Sequence, residues 1–72
     1  MSESFDYVDV KNQRYRTYVF PTKNPGVLAE ITVQEPVKLA MSASGVHRIV
    51  DSSGKTNVIQ PGWIHLYFEE YD

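Results

Sequence analysis

Four aromatic side chains near the end of the chain have the residue types and the spacing to bind another protein. After the Pro61-Gly62 pair, alternation along an extended chain places Trp63, His65 and Tyr67 on one face, and Tyr71 follows. Trp and Tyr are enriched where interfaces concentrate their binding energy, and a monomer rarely leaves a contiguous apolar face in water. We therefore predict a protein interface at Trp63, His65, Tyr67 and Tyr71. The alternative is a last strand that buries both of its faces within one chain.

The opposite face of the same segment is aliphatic. It carries Ile64, Leu66 and Phe68, and the alternating segments 27–33 and 37–43 offer apolar partners for it. We expect these three side chains to face the core.

A basic and aromatic segment could instead bind nucleic acid. Alternation places Arg14, Arg16, Tyr18 and Phe20 on one face, which is the pattern on which small β-barrels stack unpaired bases. The net charge of −2 argues against a general polyanion binder, because phosphate contacts supply much of the affinity for nucleic acid. The other interpretation is that the acidic ends of the chain pair with this basic strand across a sheet. A single-stranded nucleic-acid-binding β-barrel is thus the second hypothesis.

Two histidines, His47 and His65, raise the question of a metal site. The segment 54–69, with Pro61-Gly62 followed by His65, resembles the second motif of cupins, and this resemblance implies a cupin-like metal-binding fragment. The chain has no counterpart of the first cupin motif, and two partly buried, hydrogen-bonded histidines explain the pattern equally well. We predict no metal and no other cofactor.

Catalytic patterns are not found in the sequence. Ser52 and Ser53 follow Asp51, and their presence is fully explained by the residue preferences of a β-turn. Neither a Gly-x-Ser-x-Gly motif nor a phosphate-binding glycine loop occurs in the sequence. The sequence predicts a protein that is not an enzyme and has no catalytic residues.

The elements that carry these residues are predicted to be strands throughout. Apolar residues do not recur at helical spacing, whereas Val, Ile, Thr and Tyr are plentiful, and four prolines and four glycines divide the chain. We predict an all-β fold, a small antiparallel meander of six or seven short strands forming a barrel or a compact sandwich. The expected strands are 5–10, 14–20, 27–34, 37–43, 46–50, 56–59 and a final strand that begins at Trp63 and includes Phe68, with residues 11–13 closing a first hairpin.

Length and composition predict a single domain over residues 1–72, with residues 1–4 and 70–72 loose. A core of this size stabilises a fold only narrowly, and without cysteine no disulfide can help, so self-association is a natural source of further stability. The partner we expect is protein, most simply a second copy in a homo-oligomer.

The cellular setting follows from the same features. The acidic first residues precede no apolar run, and no segment has the length and hydrophobicity of a membrane span. We expect a cytoplasmic protein that has no membrane partner.

Overall fold

The computed structural model describes residues 6–72, which form two antiparallel sheets packed as a compact sandwich. The all-β prediction is confirmed, and of its two forms the described strands adopt the sandwich rather than a closed barrel. The strands are β1 (Val8–Asp9), β2 (Gln13–Pro21), β3 (Leu28–Gln34), β4 (Pro36–Met41), β5 (His47–Asp51), β6 (Thr56–Ile59) and β7 (His65–Glu70). Residues 1–4, expected to be loose, lie outside the described residues.

The two sheets differ from a simple meander in two strand pairs. One sheet has the order β1-β4-β5-β6 and the other β3-β2-β7, so β1 pairs with β4 and β2 pairs with β7. The predicted hairpin at residues 11–13 is wrong. The N–H of Gln13 donates to the carbonyl of Val10 at 2.9 Å, and this tight turn carries the chain from one sheet to the other. Among residues 6–72, no helix has the length and apolarity needed to cross a membrane.

Local turn chemistry closes the hairpin between β2 and β3 and the hairpin between β5 and β6. Gly26 has φ 79° and Gly54 has φ 87°, a backbone region that glycine enters without steric cost. The N–H of Val27 donates to Asn24, and that of Gly54 donates to Asp51, both at 3.0 Å. The turns predicted between strands two and three and between strands five and six are therefore present.

The chain changes sheets a second time at Glu35, directly between β3 and β4. Glu35 has φ 49°, a conformation that a non-glycine residue rarely adopts, and Pro36 follows it. Its N–H donates to Arg14 at 2.9 Å in one sheet, and its carbonyl accepts from Ser52 at 3.0 Å beside the other. Two backbone bonds thus hold an unfavourable conformation at the corner of the sandwich.

A small core lies between the sheets, where β2 crosses β4 and β3 approaches β5. Phe20, Trp63 and Leu66 pack against its margin. Its buried residues are Val10, Tyr18, Val33, Leu39, Ile49 and Ile59.

The predicted inward face of the third strand is only partly correct. Val33 is buried beside the Glu35 corner, but Ile31 and Val27 are exposed. Alternation gives the face that a side chain occupies, whereas burial also requires a facing sheet, and the half of β3 nearer Gly26 is not covered.

Candidate functional site

Strand β7 carries two of the four predicted interface residues, His65 and Tyr67, and forms one edge of the three-stranded sheet. Its Cα register places Leu66 opposite Tyr18, Tyr67 opposite Thr17 and Phe68 opposite Arg16. Because paired residues share a face and Tyr18 lies in the core, Leu66 and Phe68 are on the inner face. His65, Tyr67 and Glu69 are on the outer face.

Trp63 does not share a face with His65 and Tyr67, contrary to the alternation prediction. Its ring packs in the core margin, with its centroid 5.6 Å from those of Tyr18 and His47. The reason lies at Ile64, whose N–H donates at 2.8 Å to Val19, although the Cα partner of Val19 is His65. Ile64 and His65 therefore both lie opposite Val19, as in a β-bulge. The extra residue places the side chains of Trp63 and His65 on opposite faces of the sheet.

The outer face of β7 has an aromatic surface. The rings of His65 and Tyr67 lie 5.7 Å apart, and Tyr15 meets Tyr67 edge-on at 6.5 Å. The Tyr67 hydroxyl donates to Glu30 across the sheet at 3.3 Å. His65 and Tyr67 are nevertheless exposed, so this surface is open to a partner.

The aliphatic face of the last strand is the larger surprise, because the prediction that it faces the core is wrong for two of its three residues. Leu66 packs against the core, but Ile64 is 61% exposed and Phe68 is 48% exposed. Phe68 is on the inner side, yet β7 is an edge strand that has no extensive contact with the described strands of the opposite sheet. The Arg16 guanidinium lies 5.7 Å from the centre of the Phe68 ring.

Charged residues flank the C-terminal end of β7. Arg14 lies 3.9 Å from the Glu69 carboxylate and 4.9 Å from the ring centre of Tyr71. The predicted pairing of the acidic end with the basic strand is confirmed at this contact. The hydrogen bond to Glu69 raises the pKa of the Tyr15 hydroxyl. Glu70 ends β7, and the Tyr71 N–H donates to Asn12 at 2.8 Å, so the segment expected to be loose begins with fixed residues.

The basic and aromatic strand does not form the exposed face expected for nucleic acid. Arg16 is 5% exposed and Tyr18 is 0% exposed, and Phe20 packs at the core margin. Arg14 leaves this face because the register of β2 against β7 shifts between Gln13 and Tyr15, which makes Arg14 the extra residue.

Sequence reasoning missed a buried polar cluster, which consists of Gln13, Arg16, Tyr18 and His47. The Arg16 guanidinium donates to Gln13 Oε1 at 3.0 Å and to the Tyr18 hydroxyl at 3.3 Å. The Tyr18 hydroxyl lies 2.8 Å from His47 Nδ1. One sequence signal points to this cluster, namely the alternation that places Arg16 and Tyr18 on one face.

The two histidines lie in different sheets, His47 in β5 and His65 in β7. His47 is bonded to Tyr18, whereas His65 stacks on Tyr67. Within residues 6–72, no three residues of metal-binding type come together in a group that could hold an ion. The structure therefore adds no support to the cupin-like hypothesis.

Comparison of the chain with known protein families, with curated proteins and with solved structures finds no match.

Proposed function

We propose that this chain is a non-enzymatic protein-binding domain that self-associates through β7. The observation that carries this proposal is the half-exposed Phe68 on the inner face of an edge strand. Full burial of a Phe side chain stabilises a protein by about 1.5–3 kcal/mol. Because Phe68 is half exposed, covering it in a dimer would add part of this free energy to association. A partner along β7 would cover Phe68 and the exposed side of Tyr67 together.

The small core supports the same proposal. Its members are few, while exposed large apolar side chains are found on both sheets. Domains of this length bury a smaller fraction of their surface on folding than larger domains do, and association is one of the few remaining ways to increase it. Within residues 6–72, the large apolar side chains that are exposed are Tyr7, Val8, Val27, Leu28, Ile31, Met41, Val58, Ile64, Tyr67, Phe68 and Tyr71.

The structural roles of the reactive side chains support a non-enzymatic function. The Asp51 carboxylate accepts from the backbone and hydroxyl of Ser53, the backbone of Lys55 and the amide of Asn57. His47 is occupied by Tyr18 inside the core. Each group already has the bonds that its place in the fold requires.

Sedimentation velocity over a range of concentrations tests the proposal. We expect the wild-type chain to sediment as a dimer at high concentration and Phe68→Glu to sediment as a monomer. The variant should fold, because the new carboxylate would lie beside the Arg16 guanidinium, and circular dichroism checks this.

Val58→Glu is the matched control. Val58 is 49% exposed on β6, an edge strand of the other sheet, so the same substitution there should leave the dimer intact. A wild-type chain that stays monomeric at every concentration, or a Phe68→Glu variant that dimerises as well as wild type, would refute the proposal.

A further inference from the structure

The backbone of β7 presents a free hydrogen-bonding edge. The Tyr71 N–H points to β2, as its bond to Asn12 shows, and the two-residue repeat of a strand gives Glu69, Tyr67 and His65 the same orientation. Ile64 lies beyond the bulge, where the repeat is interrupted, and its N–H also donates to β2. The two-residue repeat of a strand then turns the N–H and C=O groups of Leu66, Phe68 and Glu70 away from β2. No described strand pairs with that side of β7.

This edge lacks the protection that natural sheets place on their edge strands. Lysine, proline and charges in mid-strand commonly block edge-to-edge pairing. The other edge of the same sheet, β3, has Glu30 in its middle, whereas β7 begins with four uncharged or aromatic residues and has its acids, Glu69 and Glu70, only at the end.

We propose that β7 pairs antiparallel with β7 of a second copy, with Tyr67 opposite Tyr67 of that copy. The result is one six-stranded sheet that runs through both chains. This inference rests on the proposed function, and it names both the partner and the register of the contact. In this register, Leu66 of one copy lies opposite Phe68 of the other copy, and His65 of one copy lies opposite Glu69 of the other.

Two physical constraints select the register. Residues paired across strands share a face of the sheet. The two-fold axis must therefore lie midway between the two copies of one β7 residue, so that this residue is opposite its own copy. With the axis at Tyr67, apolar side chains pair on the inner face, and a histidine meets a carboxylate on the outer face. The acidic ends of the two copies lie at opposite ends of the junction, which avoids repulsion between like charges.

The neighbouring registers are less complementary. An axis at Phe68 sets Leu66 against Glu70 and Tyr67 against Glu69, so both carboxylates face residues within β7 that are better paired with apolar side chains. With the axis at Tyr67, the one such pair is Glu70 against Ile64, which lies outside β7. An axis at Leu66 requires pairing at Ile64, where the backbone N–H is already turned to Val19.

Cysteine cross-linking tests the register directly, because the natural chain contains no thiol. His65→Cys and Glu69→Cys are prepared separately, mixed and oxidised. The two positions face each other at a non-hydrogen-bonded pair, where Cα atoms about 4.5 Å apart fit disulfide geometry. We expect a disulfide-linked dimer as the main product of the mixture and only traces from either variant alone, since two copies of position 65 lie four residues out of register.

A mixture of His65→Cys with Tyr71→Cys is the control, because these positions meet only when the axis is at Phe68. Sedimentation of the wild-type chain and of each reduced mixture accompanies the cross-linking. A dimer that cross-links through positions 65 and 71, or through neither pair, overturns this inference and leaves the proposed self-association standing. A monomeric wild-type chain overturns both.

Discussion

The hydroxyl of Tyr18 lies 2.8 Å from Nδ1 of His47 and joins the two sheets through the middle of the core. Tyr18 belongs to β2 and His47 to β5. Arginine can only donate, so the Tyr18 oxygen accepts from Arg16. When the His47 imidazole is neutral with Nδ1 unprotonated, the Tyr18 hydroxyl donates its proton to that nitrogen, and both of its bonds are then used.

Tyr18→Phe should destabilise the fold by about 1–3 kcal/mol, because it leaves His47 Nδ1 and one guanidinium N–H without their buried partner. Urea unfolding measures the loss. Tyr67→Phe is the control, since its hydroxyl bonds to Glu30 at an exposed site and its removal should cost below about 0.5 kcal/mol. Equal losses in the two variants would contradict the importance of the buried bond.

Stability should fall as the pH is lowered through the titration of His47. Burial lowers the pKa of His47 from its ordinary value of 6.5, and the Arg16 guanidinium lowers it further. The unfolded chain therefore binds this proton more tightly than the folded chain. The contribution is complete above pH 6.5 and is lost as the pH falls through the lower folded-state pKa.

Urea unfolding of wild type and His47→Gln at several pH values between 5 and 8 measures this effect. We expect the wild-type free energy of unfolding to decrease toward pH 5 more steeply than that of the variant, which retains His65. The emission of Trp63 offers a second measurement on the folded chain, since its ring lies 5.6 Å from His47. Parallel pH profiles for the two chains would contradict this assignment.

Asp51 should stabilise the turn between β5 and β6 as a carboxylate. Bonds from Ser53 and Asn57 are the main causes that lower its pKa to about 2. Its contribution is therefore present above its ordinary value of 3.8 and is lost as the pH falls toward 2. Asp51→Ala should lower the melting temperature at pH 6, and the difference from wild type should shrink in acid.

Asp9→Ala is a suitable comparison for Asp51→Ala, because the Asp9 carboxylate also accepts a backbone N–H two residues later. Its one other partner among residues 6–72 is the exposed Lys11 ammonium at 3.6 Å, in place of the hydroxyl and amide donors of Asp51. The effect of Asp9→Ala on the melting temperature should be smaller. An Asp51 effect that is constant from pH 2 to pH 6 would show that the charge of the carboxylate is not what matters.

Local signals allowed most strand positions to be predicted from the sequence. Thr56–Ile59 is predicted with its observed bounds, because Gly54 and Pro61 mark its two sides and its residues favour extended chain. The Pro25-Gly26 turn is predicted for the same reason. These features depend on a few neighbouring residues, which the sequence displays directly.

The side-chain environments near the candidate site depend on distant partners and were harder to predict. Arginine is usually a surface residue, so the sequence suggests that Arg16 is exposed. In the structure it is buried, and its guanidinium donates hydrogen bonds to Gln13 and Tyr18. The irregular pairing at Ile64 places Trp63 on the face opposite to the one that alternation predicts. No residue type in that segment indicates this irregularity. Phe68 has the correct face but lacks a covering sheet, which alternation cannot reveal.

Glu35→Gly should stabilise the protein by about 0.5–1 kcal/mol. A left-handed backbone costs a non-glycine residue about 1–2 kcal/mol, and the greater freedom of glycine in the unfolded chain offsets only about half of the gain. Glu35 has φ 49°, and its side chain forms no hydrogen bond or ion pair with residues 6–72 that the substitution would remove. Gln34→Gly, one residue earlier in extended β3, should instead lower stability. Urea unfolding of both variants decides this, since a loss at both positions would mean that the corner is unstrained.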